Sequence, residues 1–169
     1  MGAVTDVLTM LGVIRKALKL TPLPGDTPLS LGSMVAQRAQ QSPDNVMVVF
    51  EGVTLTWGQF NTKANQMAHY LKSQGVKKGD AVALLMENRI ENLACVTALA
   101  KIGAVAAMIN TSLTEAPLLH CIKSVASVKV IVGQELLSPL SEIRSELGLA
   151  SNDIFWVQDA ALSGAGVAP

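Results

Sequence analysis

From Asp80 onward the sequence alternates short extended apolar runs with helical patterns, and that alternation constrains the fold more than any other feature. The runs are 81–86 (AVALLM), 104–109 (AVAAMI), 128–132 (VKVIV) and 154–157 (IFWV), with helical patterns over 89–102, 115–126 and 138–147. Runs that are apolar at nearly every position leave no face for water, so they belong in a sheet covered on both sides. Parallel neighbours need a long crossover, which an intervening helix supplies. The expected fold class is α/β, a mostly parallel sheet with flanking helices.

Upstream, a short helix is expected over 31–40, with Leu31, Met34, Val35 and Ala39 facing inward. Val46–Phe50 and Val53–Thr56 flank Glu51-Gly52, a two-residue loop with glycine that signals an N-terminal β-hairpin. Thr56-Trp57-Gly58-Gln59 fits a capping box, in which hydroxyl and amide satisfy each other's free backbone N–H groups. The helix it opens places Trp57, Phe60, Ala64, Met67, Ala68 and Leu71 on one face, and Gly75 supplies a left-handed stop. His69 falls on the opposite, solvent face.

Two segments are expected: 1–28 as an amphipathic helix and connector, and 29–169 as the α/β portion. Val4, Val7, Leu8, Leu11, Ile14 and Leu18 share one helical face, with Arg15, Lys16 and Lys19 near its end. Plain packing is the first reading of residues 4–20; peripheral contact with an anionic membrane surface is the second. TPLPGDTP, 21–28, has the proline and glycine density of a connector. No charged n-region of a secretory signal is evident, since Asp6 is present and no early Lys or Arg is. The most hydrophobic stretch, 93–109, is broken by Lys101 and Gly103, so a buried helix and strand explain it better than a membrane span.

The 13 basic and 13 acidic residues balance and form no basic stripe, which argues against nucleic acid as a partner. Cys95 and Cys121 lie far apart in apolar surroundings, as buried free thiols of a reducing cytoplasm would. A cytoplasmic location follows, peripheral at the membrane if residues 4–20 bind it.

Glu87-Asn88, Asn110-Thr111-Ser112 and Gly133-Gln134-Glu135 each follow a strand, placing them at the carboxyl edge of a parallel sheet, where open α/β folds bind ligands. Capping is the stronger reading. Asn88 to Glu91 and Ser112 to Glu115 have capping-box spacing, and Ser138-Pro139 resembles an N-cap with proline at the first helical position. Gly75-Val76-Lys77-Lys78-Gly79-Asp80 runs from helix to strand, the wrong order for a phosphate cradle. No Gly-x-Ser-x-Gly elbow, nucleophile–base pair or metal-spaced carboxylate cluster is found. The expected set of catalytic, cofactor-binding and metal-binding residues is empty.

The stretch from Gly75 to Leu113, GVKKGDAVALLMENRIENLACVTALAKIGAVAAMINTSL, resembles the N-terminal part of AMP-forming acyl-CoA synthetases. PDNVMVVFEGVTLTWGQFNTKANQMAHYL, Pro43 to Leu71, is similar to the hairpin and helix that precede it there. Met86-Glu87-Asn88, Lys101-Ile102-Gly103-Ala104 and Ile109-Asn110-Thr111 look like the long-chain synthetase and fatty acid transport protein branch. The resemblance covers about residues 30–135.

It implies a partial N-terminal subdomain of an adenylate-forming enzyme. The parent reaction would join a long-chain fatty acid to CoA, using ATP and magnesium, through an acyl-adenylate, with release of pyrophosphate and AMP. The family's Ser/Thr/Gly-rich loop with Lys, acidic motif, Arg–Asp segment and C-terminal Lys do not occur here, so none of its functional residues carries over. A fragment of a long-chain fatty-acid–CoA ligase, inactive alone, is the expectation; a non-catalytic lipid-binding or partner-binding module is the alternative. A dinucleotide-binding domain is disfavoured because no G-x-G-x-x-G follows the first parallel strand.

Overall fold

The computed structural model describes residues 29–158. The segment 4–20, its connector and the tail beyond 158 lie outside the described residues. α1 (Leu31–Gln41) leads into a hairpin of β1 (Val46–Phe50) and β2 (Val53–Thr56), followed by α2 (Trp57–Ser73). Then come β3 (Ala81–Leu85), α3 (Ile90–Ile102), β4 (Val105–Met108), α4 (Glu115–Ser124), β5 (Lys129–Gly133), α5 (Leu137–Ile143) and β6 (Ile154–Val157).

The hairpin is antiparallel, and Glu51 and Gly52 both have positive φ, 47° and 80°, matching a two-residue loop that follows the strand twist. β3 to β6 form the expected parallel sheet, in the order β4-β3-β5-β6. The pleat sends alternate side chains to opposite faces. Val82, Leu84, Met86 and Ile131 join Leu71, Cys95, Ala98 and Leu99 in the layer beneath α2 and α3. Ala83, Leu85, Val130 and Val132 join Leu118, Ile122, Leu140 and Ile143 beneath α4 and α5. The result is three layers, with β3 and β5 buried on both sides.

Three expectations need correction. β4 is not a buried strand: it forms one edge of the sheet, and Val105 and Met108 are more than half exposed. The inward face of α1 is corrected in part: Val35 is buried as expected, with Gly32 beside it, while Leu31 and Met34 remain exposed. A Cβ at Gly32 would stand 2.8 Å from the Lys101 backbone, so the close approach of α1 to α3 selects the smallest residue. Cys121 is half-buried rather than buried, though both thiols are free.

The capping expectations divide. Thr56 and Gln59 form the expected box, through bonds of 3.3 and 2.9 Å. At α3 the N-cap is Arg89, at α4 it is Thr114, and neither makes a side-chain cap bond. Ser138 lies inside α5 instead of capping it. The 93–109 run is helix then strand, and among the described residues no helix is long and apolar enough to cross a membrane.

Candidate functional site

A parallel sheet has its ligand crevice where successive crossovers leave on opposite faces. Here that point lies between β3 and β5. The chain leaving β3 packs α3 on one face, and the chain leaving β5 packs α5 on the other.

The sequence clusters Glu87-Asn88 and Gly133-Gln134-Glu135 converge at this crevice, and they occupy it themselves. Arg89 Nη1 donates to Glu135 Oε2 at 2.6 Å, and Glu87 N–H donates to Glu135 Oε1 at 2.9 Å. Arg89 Nη2 also donates to the Val157 carbonyl at 2.9 Å, carrying the connection to β6. Asn92 Nδ2 donates to the Met86 and Glu87 carbonyls at 2.9 and 3.3 Å, fixing the β3–α3 turn. The third cluster stays apart: Asn110 Oδ1 accepts from Ser112 N–H in a local turn at the β4 end. A carboxylate held by a guanidinium and a backbone amide mimics a bound anion, so this crevice is filled from within.

Among the described residues no three His, Cys, Asp or Glu side chains could hold a metal ion. In the Gly75–Asp80 turn, Lys77 N–H donates to Asp80 Oδ2 at 2.8 Å, closing the loop on itself. His69 and His120 are both exposed. Cys95 is buried beneath α3; desolvation, then the Glu91 charge, pushes its thiol up to about 12, so it stays protonated. Burial also lowers the Lys101 ammonium, whose Nζ donates to Asn61 Oδ1 at 2.8 Å.

An open concave feature also lies along β6. A groove of about 300 Å³ runs between α2 and this edge strand. Met67, Tyr70, Leu71, Ile131 and Phe155 give it an apolar lining, and Lys63 and Glu91, paired at 3.0 Å, stand in its wall. Tyr70 meets Phe155 edge to face at 5.5 Å, and Lys129 Nζ lies 5.3 Å from the Phe155 ring. Lys129 also donates to Asp153 Oδ1 at 2.7 Å, which holds the Asp153 carboxyl below its ordinary value. β6 is thus tied at both ends, by Lys129–Asp153 at its start and Arg89–Val157 at its finish. No single-residue motif in the sequence announces this groove, because its walls come from segments far apart in the chain.

A family model described as AMP-binding enzyme matches residues 35–164. Long-chain fatty acid transport protein 6 of Mus musculus is 32% identical over 145 residues, a match covering 84% of this chain and 23% of that protein. Long-chain-fatty-acid–CoA ligase FadD13 of Mycobacterium tuberculosis is 34% identical over 130 residues, covering 76% and 26% respectively. The inhibitor-bound N-terminal domain of FACL13 from Mycobacterium tuberculosis superposes with a TM-score of 0.69 at 33% identity, over 79% of this chain and 34% of that one. The chain therefore spans about a quarter of the length of these curated relatives.

Proposed function

This chain belongs to the AMP-binding enzyme family, and on that footing we propose that it serves as the N-terminal scaffold portion of a long-chain fatty-acid–CoA ligase. The parent activity would activate a fatty acid with ATP and magnesium and pass the acyl group to CoA. The observation supporting this reading is the fold shared with the N-terminal domain of FACL13 at 33% identity, alongside the 34% identity to the long-chain-fatty-acid–CoA ligase FadD13. Residues 29–169 would be the AMP-binding portion, and 1–28 a separate leading segment in the cytoplasm or at a membrane surface.

The chain's own part in that chemistry is structural. At its carboxyl rim Arg89 is held by Glu135 and by the Val157 carbonyl, and Glu135 also accepts from Glu87 N–H, which supports a structural part for these groups. Activating a carboxylate needs donors and cations aimed at the reacting phosphate. Those groups would have to come from the portion of the family fold that the relatives carry beyond this match.

Two measurements of ATP–pyrophosphate exchange with oleate and magnesium test the proposal. The isolated chain should give none. A chimera in which it replaces the matched segment of the Mycobacterium tuberculosis ligase should retain exchange. Exchange by the isolated chain, or an inactive but folded chimera, overturns the reading.

A further inference from the structure

We propose that the amino end of the parallel sheet, around Lys72, Lys77 and Lys78, is a docking surface for an anionic lipid bilayer. The inference deepens the ligase reading above. The choice of lipid among anionic partners rests on that reading; the surface itself rests on charge and exposure.

Because β3, β4 and β5 are parallel, the turns that enter them lie together at one end of the sheet. α2 and α3 finish at that end, with Ser73 and Ile102. An open hollow of about 580 Å³ lies between these helix ends, bordered by Lys72, Lys77, Lys78 and Lys101. Lys72 and Lys101 stand in the last turns of their helices, where a cation answers the helix dipole. That reason does not reach Lys77 and Lys78. Both are exposed in the loop before β3, and neither forms an ion pair among the described residues. The loop's carboxylate, Asp80, accepts from the Lys77 backbone N–H and pairs with neither ammonium. The loop is also held in place. Gly79 N–H donates to the Gly103 carbonyl at 2.9 Å, and a Cβ at Gly103 would stand 2.9 Å from Lys78 Cγ, so the Lys78 stem lies along the end of α3.

Exposed apolar side chains interleave with these cations. Leu31 adjoins Gly32, which packs on Lys101. Val105 N–H donates to the Asp80 carbonyl at 2.8 Å and Val128 N–H to the Ala81 carbonyl at 2.9 Å, so both exposed valines stand at the same end. A bilayer boundary accepts both groups at once, ammonium groups among its phosphates and apolar tips just beneath. A small solvated anion would leave the apolar tips in water. The opposite, carboxyl end carries Glu87, Glu91 and Glu135, which an anionic surface repels, so the charge distribution also sets which end faces the lipid. A long-chain fatty acid partitions into bilayers because each buried methylene favours lipid. Seated this way, a ligase portion stands beside the phase that holds its substrate.

Co-sedimentation of the full 169-residue chain with lipid vesicles tests this. The chain should bind phosphatidylcholine vesicles containing about 30% phosphatidylserine and leave pure phosphatidylcholine vesicles unbound. Each lysine at an anionic surface contributes about fivefold, so Lys77→Gln with Lys78→Gln should weaken binding by about 20-fold or more, and Lys72→Gln alone by about fivefold. Arg38→Gln with Lys63→Gln removes the same charge away from this end and should change binding by less than about twofold. Glycerophosphoserine in solution, which carries the headgroup without the bilayer, should not compete. No binding to the anionic vesicles, equal losses in the two double variants, an unaffected Lys77/Lys78 variant, or competition by the free headgroup (a small-anion site instead) each overturns the inference. Vesicle binding is read without any activity, so the two proposals fail separately. An active chimera with no binding by the chain sinks the docking surface alone, and binding alongside an inactive folded chimera sinks the ligase reading alone.

Discussion

Arg89 Nη1 lies 2.6 Å from Glu135 Oε2, and this contact joins the turn after β3 to the turn after β5 across the crevice between them. The Arg89 side chain is 6% exposed and that of Glu135 is 30% exposed. The guanidinium therefore stands to lose most when its partner is removed.

Glu135→Ala should destabilise the fold by about 2–4 kcal/mol, because a largely buried charge loses its principal counter-ion while partial solvation of the site softens the loss. Replacing both partners, as Arg89→Met with Glu135→Leu, should recover much of that cost. Urea unfolding midpoints of these two variants and the unaltered chain measure it. A Glu135→Ala midpoint equal to that of the unaltered chain would show that the contact contributes nothing.

Gly133→Ala should act on the same pair. Its φ of −70° is ordinary, so strain is not the issue; an added Cβ would collide with the Glu135 carboxylate. The carboxylate must swing aside, so the substitution should cost about 1–3 kcal/mol, by analogy with other overpacked sites. In a Glu135→Ala background the same change should be nearly neutral. A double-mutant cycle detects the difference, and additive effects would show that the two sites are independent.

The coarse architecture was legible because it rests on local signals. Buried strands declare themselves by continuous apolar runs, and β3, β5 and β6 begin and end within a residue of the expected bounds. The Thr56–Gln59 box needs only its own four residues. The α3 cap is not legible locally because distant groups claim its turn: Arg89 bonds to Glu135, 46 residues away, and to Val157, 68 away. Edge position is equally invisible to a sequence window, so β4 read as a buried strand. The α1 face was assigned by side-chain size, yet the helix packs through Gly32, where contact depends on having no side chain.

Gly32→Ala therefore should loosen α1 from α3. The new methyl would meet Lys101 Cγ at 2.7 Å and its backbone at 2.8 Å, and a helix backbone cannot yield as a side-chain tip can. A cost of about 1–3 kcal/mol is expected despite the better helix propensity of alanine. Faster amide exchange over 31–41, with the sheet unchanged, is the signature. Stabilisation by Gly32→Ala would show that α1 does not pack this closely.

Acid should release the start of β6 through Asp153. The Lys129 hydrogen bond lowers its carboxyl pKa in the fold. A depressed folded pKa means that the stabilisation is present above the unfolded value of about 3.9 and disappears as pH falls through the folded one. The carboxyl resonance of Asp153 should titrate below the ordinary aspartate range, and Lys129→Met should return it there. Asp153→Asn should flatten this part of the acid dependence of stability. Titration at the ordinary aspartate value would show that the bond to Lys129 does not hold in solution.

Cys95 offers a test of the interior itself. Its thiol faces the core beneath α3, where burial opposes a thiolate and the nearby Glu91 carboxylate opposes it further. Arg89 and Lys63 pull the other way but do not prevail, and the pKa rises to about 12. A folded pKa above the unfolded value of about 8.5 means that the fold keeps the proton while the unfolded chain releases it. Stability from this group is therefore complete below that unfolded value and drains away as pH rises toward the folded one. Cys95→Ala should remove that alkaline decline, at the expense of a small cavity. In the folded chain at pH 8, Cys95 should resist a thiol-specific disulfide reagent, and its labelling rate should follow the population of the unfolded form as urea is added. Rapid labelling without urea would mean that α3 does not seal this face of the sheet, and the layered packing proposed for the inner strands would fall with it.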